Sequence, residues 1–178
     1  IFTQHSFVHL QKNWRQTFYE HTFARLTDKI CAVSEVIQKR YYAMGFTKNQ
    51  VTLIENGIPM IEPLNNPQAK QELKNQLTDQ QKQNGKQLKN NTLWLISVAR
   101  LHPGKGQEEI IKLWSQLPAN IRQQCQILII GGQTENGYED KLQQQASKAM
   151  DGHHIIFLGA QFDPRPWYQA ADVFISGS

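Results

Sequence analysis

Arg100, Gly104, Lys105 and Gly106 crowd one short stretch, ARLHPGKG at 99–106, between an apolar run, TLWLISV, and a helical pattern, QEEIIKLWSQL. A guanidinium offers a planar fork for phosphate oxygens, and an ammonium a mobile point charge. The first N–H groups of a helix lack partners and carry the positive end of its dipole. Gly104 and Gly106 let an anion approach the backbone closely. Each charge-assisted hydrogen bond is worth roughly 1.5–3 kcal/mol. Arg100, Lys105 and a helix start would together hold a diphosphate without a metal. The G-x-x-x-x-G-K-[ST] spacing is absent, so this is no P-loop. On its own the stretch is an anion cradle or a solvated basic turn.

A second stretch, IIGGQTENGYED at 129–140, places Gly131 and Gly132 after a buried strand. Paired glycines there admit a phosphate or sugar to the main chain. They equally suit a plain strand-to-helix turn, and G-x-G-x-x-G is missing. The six histidines show no metal-ligand spacing. His153 and His154 precede a strand, where neighbours face opposite ways. No Asp-x-Asp occurs, so no metal and no cofactor is expected. Cys31 and Cys125 sit in apolar runs, KICAV and CQILII, and read as buried free thiols.

These loops need a scaffold, and the chain alternates strand and helix throughout. IFTQH, KICAV and VTLIE read as strands. Between the first two, Leu10, Trp14, Phe18, Leu26 and Ile30 recur at multiples of four and predict a helix with an apolar stripe. Ser34 caps the helix EVIQKRYYAM, and Gly45 stops it. NGIP at 56–59 reads as a hinge, because the prolines that follow deny it a ladder partner. Asn66 and Pro67 start a helix over QAKQELKNQL. The polar 78–91 stretch reads as a solvated helix end and loop.

Then TLWLISVA, CQILIIGG, HIIFLG and DVFIS predict four strands, separated by QEEIIKLWSQL, YEDKLQQQASKAM and DPRPWYQAA as helices. Such alternation implies right-handed crossovers and parallel sheets, an α/β fold. Ligands on such sheets bind outside the carboxyl ends of the strands. That singles out RLHPGKG, GGQTENG, GAQF and QHSF. Trp14, Phe18, Trp114 and Leu117 are expected in the core.

The chain has 178 residues, 39% of them hydrophobic, enough for a packed core. Its net charge of +4 and pI near 9.1 suit an anionic small ligand or loose contact with an anionic membrane. No basic stripe of the kind nucleic acid requires is present. No run approaches the roughly 20 apolar residues of a membrane span. The order of a signal peptide is missing. A cytoplasmic location is expected, with attachment to the inner membrane face an open alternative. Trp14, Arg15, Phe18 and Arg25 mix basic and aromatic character, which fits peripheral membrane contact or a core-facing helix with a solvated back.

CAVSE, VTLIENGIP, ISVARLHPGKG, CQILIIGG, IIFLG and WYQAADVFIS, in this order, resemble the glycosyltransferases of group 1, the retaining family 4 type with the GT-B fold. The resemblance implies two Rossmann-like domains. Residues 1–58 would be the end of the N-terminal, acceptor-side domain, and 59–178 the first part of the C-terminal domain, which binds the nucleotide sugar. It implies a nucleoside-diphosphate-sugar donor, a glycan, lipid or protein acceptor, and retention at the anomeric carbon. By resemblance, Arg100, Gly104 and Lys105 bind the donor diphosphate. Gly131 and Gly132 lie near the donor, and Phe157, Leu158 and Gly159 near the nucleobase. His5 takes the place of a strand-end histidine that faces the donor sugar or acceptor.

In that chemistry negative charge grows on the departing nucleoside diphosphate, and fixed cations and helix N–H groups lower the barrier. Paired carboxylates of the hydrolase kind are not needed. The chain departs from the family after ADVFIS. There a proline–serine pair and an E-x7-E segment are expected, and the residues are Gly177 and Ser178. The expectation is a central slice of a transferase, inactive alone. The alternatives are a non-catalytic subunit that supports a transferase, and a relative of the sugar-nucleotide epimerases or phosphorylases.

Overall fold

Short β-branched and apolar triplets open the fold. The computed structural model describes residues 2–4, 18, 22, 24–57 and 60–178. The chain divides into two compact units, Ile1–Met60 and Ile61–Ser178. In the first, Phe2–Gln4 (β1), Ile30–Ala32 (β2) and Val51–Leu53 (β3) form a parallel sheet in the order β1-β2-β3. Ile30 stands opposite Phe2 on one side and Val51 on the other. Glu35–Ala43 (α1) packs on this sheet through Ile37 and Tyr41. The Ser34 hydroxyl oxygen accepts the Ile37 N–H at 3.4 Å, as an N-cap should. Phe46 meets Tyr41 edge-on, with ring centroids 5.6 Å apart.

The predicted apolar stripe is not a single buried face. Phe18 and Leu26 are 61% and 78% exposed, and Ile30 belongs to β2. Steps of four residues advance about 40° each around an α-helix, so a run of them leaves one face. Leu10 and Trp14 lie outside the described residues.

The second unit begins with Pro67–Gln83 (α2). Asn66 Oδ1 accepts the Gln68 N–H at 2.9 Å, and proline takes the first turn, where no donor is needed. This helix runs past the predicted end. Gln81 and, in the following loop, Leu88 are buried, while most of 78–91 is exposed, so the stretch is a solvated helix end and loop with two inward positions that its polar composition hid.

Leu93–Val98 (β4), Cys125–Ile130 (β5), Ile155–Gly159 (β6) and Val173–Phe174 (β7) form a four-stranded parallel sheet in the order β6-β5-β4-β7. Gln107–Gln116 (α3) and Tyr138–Lys148 (α5) cover one face, with Ala119–Arg122 (α4) a single turn between them in the chain. Ile127 and Ile129 point into that layer with Ile111, Trp114 and Leu142. Arg165–Ala170 (α6) and α2 cover the other face, over Trp94, Ile96, Leu128 and Ile130. All six residues of β5 are buried, as a central strand covered on both faces requires. Trp114 is in the core as expected, and Leu117 is partly buried against it. The DVFIS strand is shorter than predicted, although the Ile175 N–H still donates to Ile96 O at 2.8 Å.

Both cysteines are free. Cys125 is buried, and burial pushes its thiol pKa up; Cys31 is only half-buried. Among the described residues no helix is long and apolar enough to cross a membrane, and no group of His, Cys, Asp and Glu has metal-binding geometry.

Candidate functional site

The carboxyl ends of β4, β5 and β6 bring three loops to one edge. Strand pairing does not stop at the strand ends. The Ala99 N–H donates to Ile130 O (3.0 Å), the Leu101 N–H to Gly132 O (2.9 Å) and the Gly131 N–H to Gly159 O (2.9 Å). Leu101 and Gln133 form an isolated parallel bridge. Leu101 is buried, which anchors the loop between the exposed Arg100 and His102. The Thr134 N–H and hydroxyl both donate to Leu101 O, at 3.2 and 3.1 Å. This edge is a knitted platform.

Pro103–Lys105 forms one 3₁₀ turn, and Gly106 then takes φ 68°, ψ 20° before α3 begins. That left-handed conformation is cheap only for glycine. Arg100 is exposed and Lys105 half-buried. Neither forms an ion pair among the described residues. Two cations without counter-charges therefore stand beside the amino end of a ten-residue helix whose Gly106 N-cap supplies no side-chain hydrogen bond. The arrangement can attract and orient an oxyanion.

Gly131 and Gly132 lie on the same edge. Gly131 has φ 153°, with Ala99 O where a side chain would go. Phe157 and Leu158 are in the core, Phe157 in the α3–α5 layer and Leu158 on the opposite face. A register shift between Ile129 and Ile130 brings Ile130 opposite Gly159, and Gly159 takes φ 70°. Bulges of this kind re-aim a strand end beside a site. Of the FLG triplet, only the Gly159 main chain reaches the edge, and Phe157 and Leu158 offer no side chain to a ligand. His5 lies outside the described residues.

Three groups escaped the sequence reading. Gln107 is fully buried; its Nε2 donates to Arg100 O at 3.0 Å, and its Oε1 has no partner among the described residues. His102 accepts the Gly104 N–H through Nδ1 at 3.0 Å, with Nε2 3.4 Å from Glu135 Oε1. Gly177 packs backbone-to-backbone on Gly106: a Cβ on Gly106 would fall 2.2 Å from Gly177 O. The polar character of Gln107 at a helix's first turn was the one signal available for the first of these.

A cavity of about 890 Å³ lies away from this platform, at the opposite edge, between Lys86, Lys89, Gln126, Gly152 and His153. Beside it the buried His154 is fully engaged: Nδ1 is 2.8 Å from Arg122 O and 2.9 Å from Cys125 O, and Nε2 is 2.9 Å from Lys89 Nζ. Cations without ion-pair partners among the described residues, a helix start without a side-chain cap and crowded glycines mark the carboxyl edge instead. Chemistry outweighs volume here, because loops at a sheet edge need no deep hollow.

The family model described as Glycosyl transferases group 1 matches residues 78–178. No curated protein matches the chain. Among solved structures, HepE of Anabaena in complex with UDP superposes with a TM-score of 0.70 at 20% identity, over 97% of this chain and 44% of that one. A glycosyltransferase from Rickettsia africae gives 0.69 at 16% identity, over 99% and 44%. WaaG, a glycosyltransferase involved in lipopolysaccharide biosynthesis, gives 0.61 at 18%, over 92% and 43%. These likenesses establish the fold as Rossmann-like GT-B. The chain spans less than half the length of each of these relatives.

Proposed function

Because the chain belongs to the glycosyl transferases group 1 family, we propose that its carboxyl-edge loops bind the diphosphate of a nucleoside-diphosphate sugar, and that the whole protein transfers that sugar to a glycan, lipid or protein acceptor with retention. The carrying observation is the pair of cations without counter-charges, Arg100 and Lys105, at the strand-to-helix turn that opens α3. HepE was solved with UDP and with UDP and glucose, which supports a donor of this class.

In this reading the bond between the anomeric carbon and the phosphate oxygen breaks as the acceptor oxygen bonds to that carbon, and the acceptor hydroxyl gives its proton to the departing diphosphate. Negative charge builds on the leaving diphosphate. Arg100, Lys105 and the first N–H groups of α3 stabilise it without reorganising. They act as fixed charges, neither acid nor base. Gly131 and Gly132 admit the donor to the main chain, and the Gly159 backbone borders the nucleobase. His5 faces the donor sugar or acceptor on the strength of the resemblance. Arg100 and Lys105 supply the positive charge that a metal gives in other transferases, and no Asp-x-Asp is present to hold one.

The test is a transfer assay on the whole protein with radiolabelled UDP-, GDP- and ADP-sugars. The expected result is labelled acceptor and an equal amount of free nucleoside diphosphate, undiminished by EDTA. Donor binding without turnover would favour a non-catalytic supporting subunit. A changed sugar nucleotide with no diphosphate released would point to epimerisation. Loss of transfer in EDTA would return the charge-neutralising role to a metal.

A further inference from the structure

We propose that His102 is the positioning residue of the diphosphate loop, a neutral hydrogen-bond acceptor that shapes the turn carrying Lys105; this rests on the diphosphate reading above. The His102 ring nitrogen Nδ1 accepts the Gly104 N–H at 3.0 Å, and the His102 carbonyl accepts the Lys105 N–H at 2.8 Å. One residue thus holds both N–H groups that follow Pro103. The ring lies close over the turn: a Cβ on Gly104 would meet Nδ1 at 3.3 Å.

An acceptor Nδ1 carries no proton, so the proton of the neutral ring is on Nε2. Nε2 lies 3.4 Å from Glu135 Oε1 in the loop after β5. The imidazole therefore stands between the turn after β4 and the loop after β5, with Glu135 beside its Nε2 edge. Glu135 is the charged group facing the ring from the neighbouring loop, and Arg100 and Lys105 flank it on its own turn.

The same chain holds a non-ionising version of this cap. Asn66-Pro67-Gln68 repeats the pattern of His102-Pro103-Gly104, with Asn66 Oδ1 accepting the N–H two residues on at 2.9 Å. Both capping residues have extended backbones, φ −89° at Asn66 and −154° at His102. At a permanently neutral asparagine the cap survives any pH. At His102, protonation of Nδ1 would set one donor against another and release the turn. Acid should loosen the grip on the diphosphate.

The experiment uses the full chain, in wild-type form and as His102→Asn, His102→Ala and Arg100→Ala. Long-range ¹H–¹⁵N imidazole spectra report the tautomer, and the Gly104 amide shift reports the cap. Calorimetry with UDP-glucose and GDP-mannose between about pH 8 and pH 5.5 reports affinity. The doubly esterified diphosphate of these probes lacks the terminal phosphate that titrates near pH 6.

The expected results are a neutral ring that carries its proton on Nε2 and a Gly104 amide shift that changes when the ring is protonated. Wild-type affinity for the bound probe should fall about five-fold on acidification, the size of a lost cap. His102→Asn should hold its affinity across the range, and His102→Ala should be weak throughout. A neutral ring that carries its proton on Nδ1, or the same pH profile in wild type and His102→Asn, overturns the proposal. Binding untouched by Arg100→Ala, or no binding of either probe, overturns the diphosphate reading and the role of His102 with it, while the imidazole spectra still report whether the cap exists.

Discussion

A methyl group on Gly131 would sit 1.9 Å from the Ala99 carbonyl oxygen, whereas one on Gly132 meets only Ala160 Cβ at 3.5 Å. Gly131→Ala should therefore destabilise the chain by about 3 kcal/mol, and Gly132→Ala by under about 1 kcal/mol, measured by urea unfolding. Similar losses in both would mean that the close approach of the β4 and β5 ends is wrong. Gly106→Ala combines φ 68° with a contact 2.2 Å from Gly177 O, so it should also lower stability, by about 2 kcal/mol. The residue types at this edge were legible: Arg100, Lys105 and the glycines stand out by chemistry alone. Their reasons were only half legible. Gly131 makes room for Ala99 O, a backbone neighbour thirty-odd positions away that no local pattern reveals. His102 drew no role from the sequence, because a cap through Nδ1 depends on a ring orientation that spacing does not encode.

At the scale of elements, Asp172 closes the opposite edge of the sheet. Its carboxylate accepts from Lys70 Nζ at 2.7 Å, Lys74 Nζ at 2.6 Å and the Trp94 N–H at 2.8 Å, tying β7, α2 and β4 together. Burial raises the pKa of this carboxyl, but the bonds from Lys70, Lys74 and the Trp94 amide outweigh it and hold the pKa below the usual carboxylate value. A lowered folded-state pKa contributes stability above the ordinary carboxylate pKa, and the contribution is lost as pH falls through the folded value. Asp172→Asn should remove that part of the acid sensitivity in urea titrations at several pH values. Asp172→Ala should cost about 2–3 kcal/mol, since it strands the buried Lys74. Unchanged acid sensitivity in Asp172→Asn would contradict this.

Tyr138 gives the alkaline counterpart between α3 and α5. Burial, then the charge of Glu108 and its hydrogen bond at 3.2 Å, push the phenol up to about 12. Its contribution is present below the ordinary tyrosine value near 10 and fades as pH climbs toward 12. Tyr138→Phe should flatten that alkaline decline. Strands and helices of this unit followed from apolar runs and caps, because β5 and its neighbours are covered on both faces. The end of α2 did not, because Gln81 is an inward polar residue that reads as solvated.

For the whole molecule, two edges of one sheet compete for the role of ligand site. A cavity of about 890 Å³ lies by Lys86, Lys89 and His153, and the basic loops lie at the other end of the strands. Hydrogen exchange with a bound sugar nucleotide should protect 99–106 and 131–137 and leave 85–89 and 151–153 unchanged; the reverse pattern would move the site. The family and the two parallel sheets were legible from six ordered motifs. One of them, WYQAADVFIS, contributes Asp172 to the structural edge, so a motif that carries the family likeness also carries a packing residue. His5 rests on the family resemblance and lies outside the described residues, just past the end of β1.

The most direct measurement compares two ligands on the chain and on Arg100→Ala and Lys105→Ala: the nucleoside diphosphate and the bare nucleoside. Each substitution should weaken the diphosphate at least about ten-fold, the worth of one charge-assisted hydrogen bond, and leave the nucleoside within two-fold. Equal losses for both ligands, or none for either, would contradict a loop that grips phosphate.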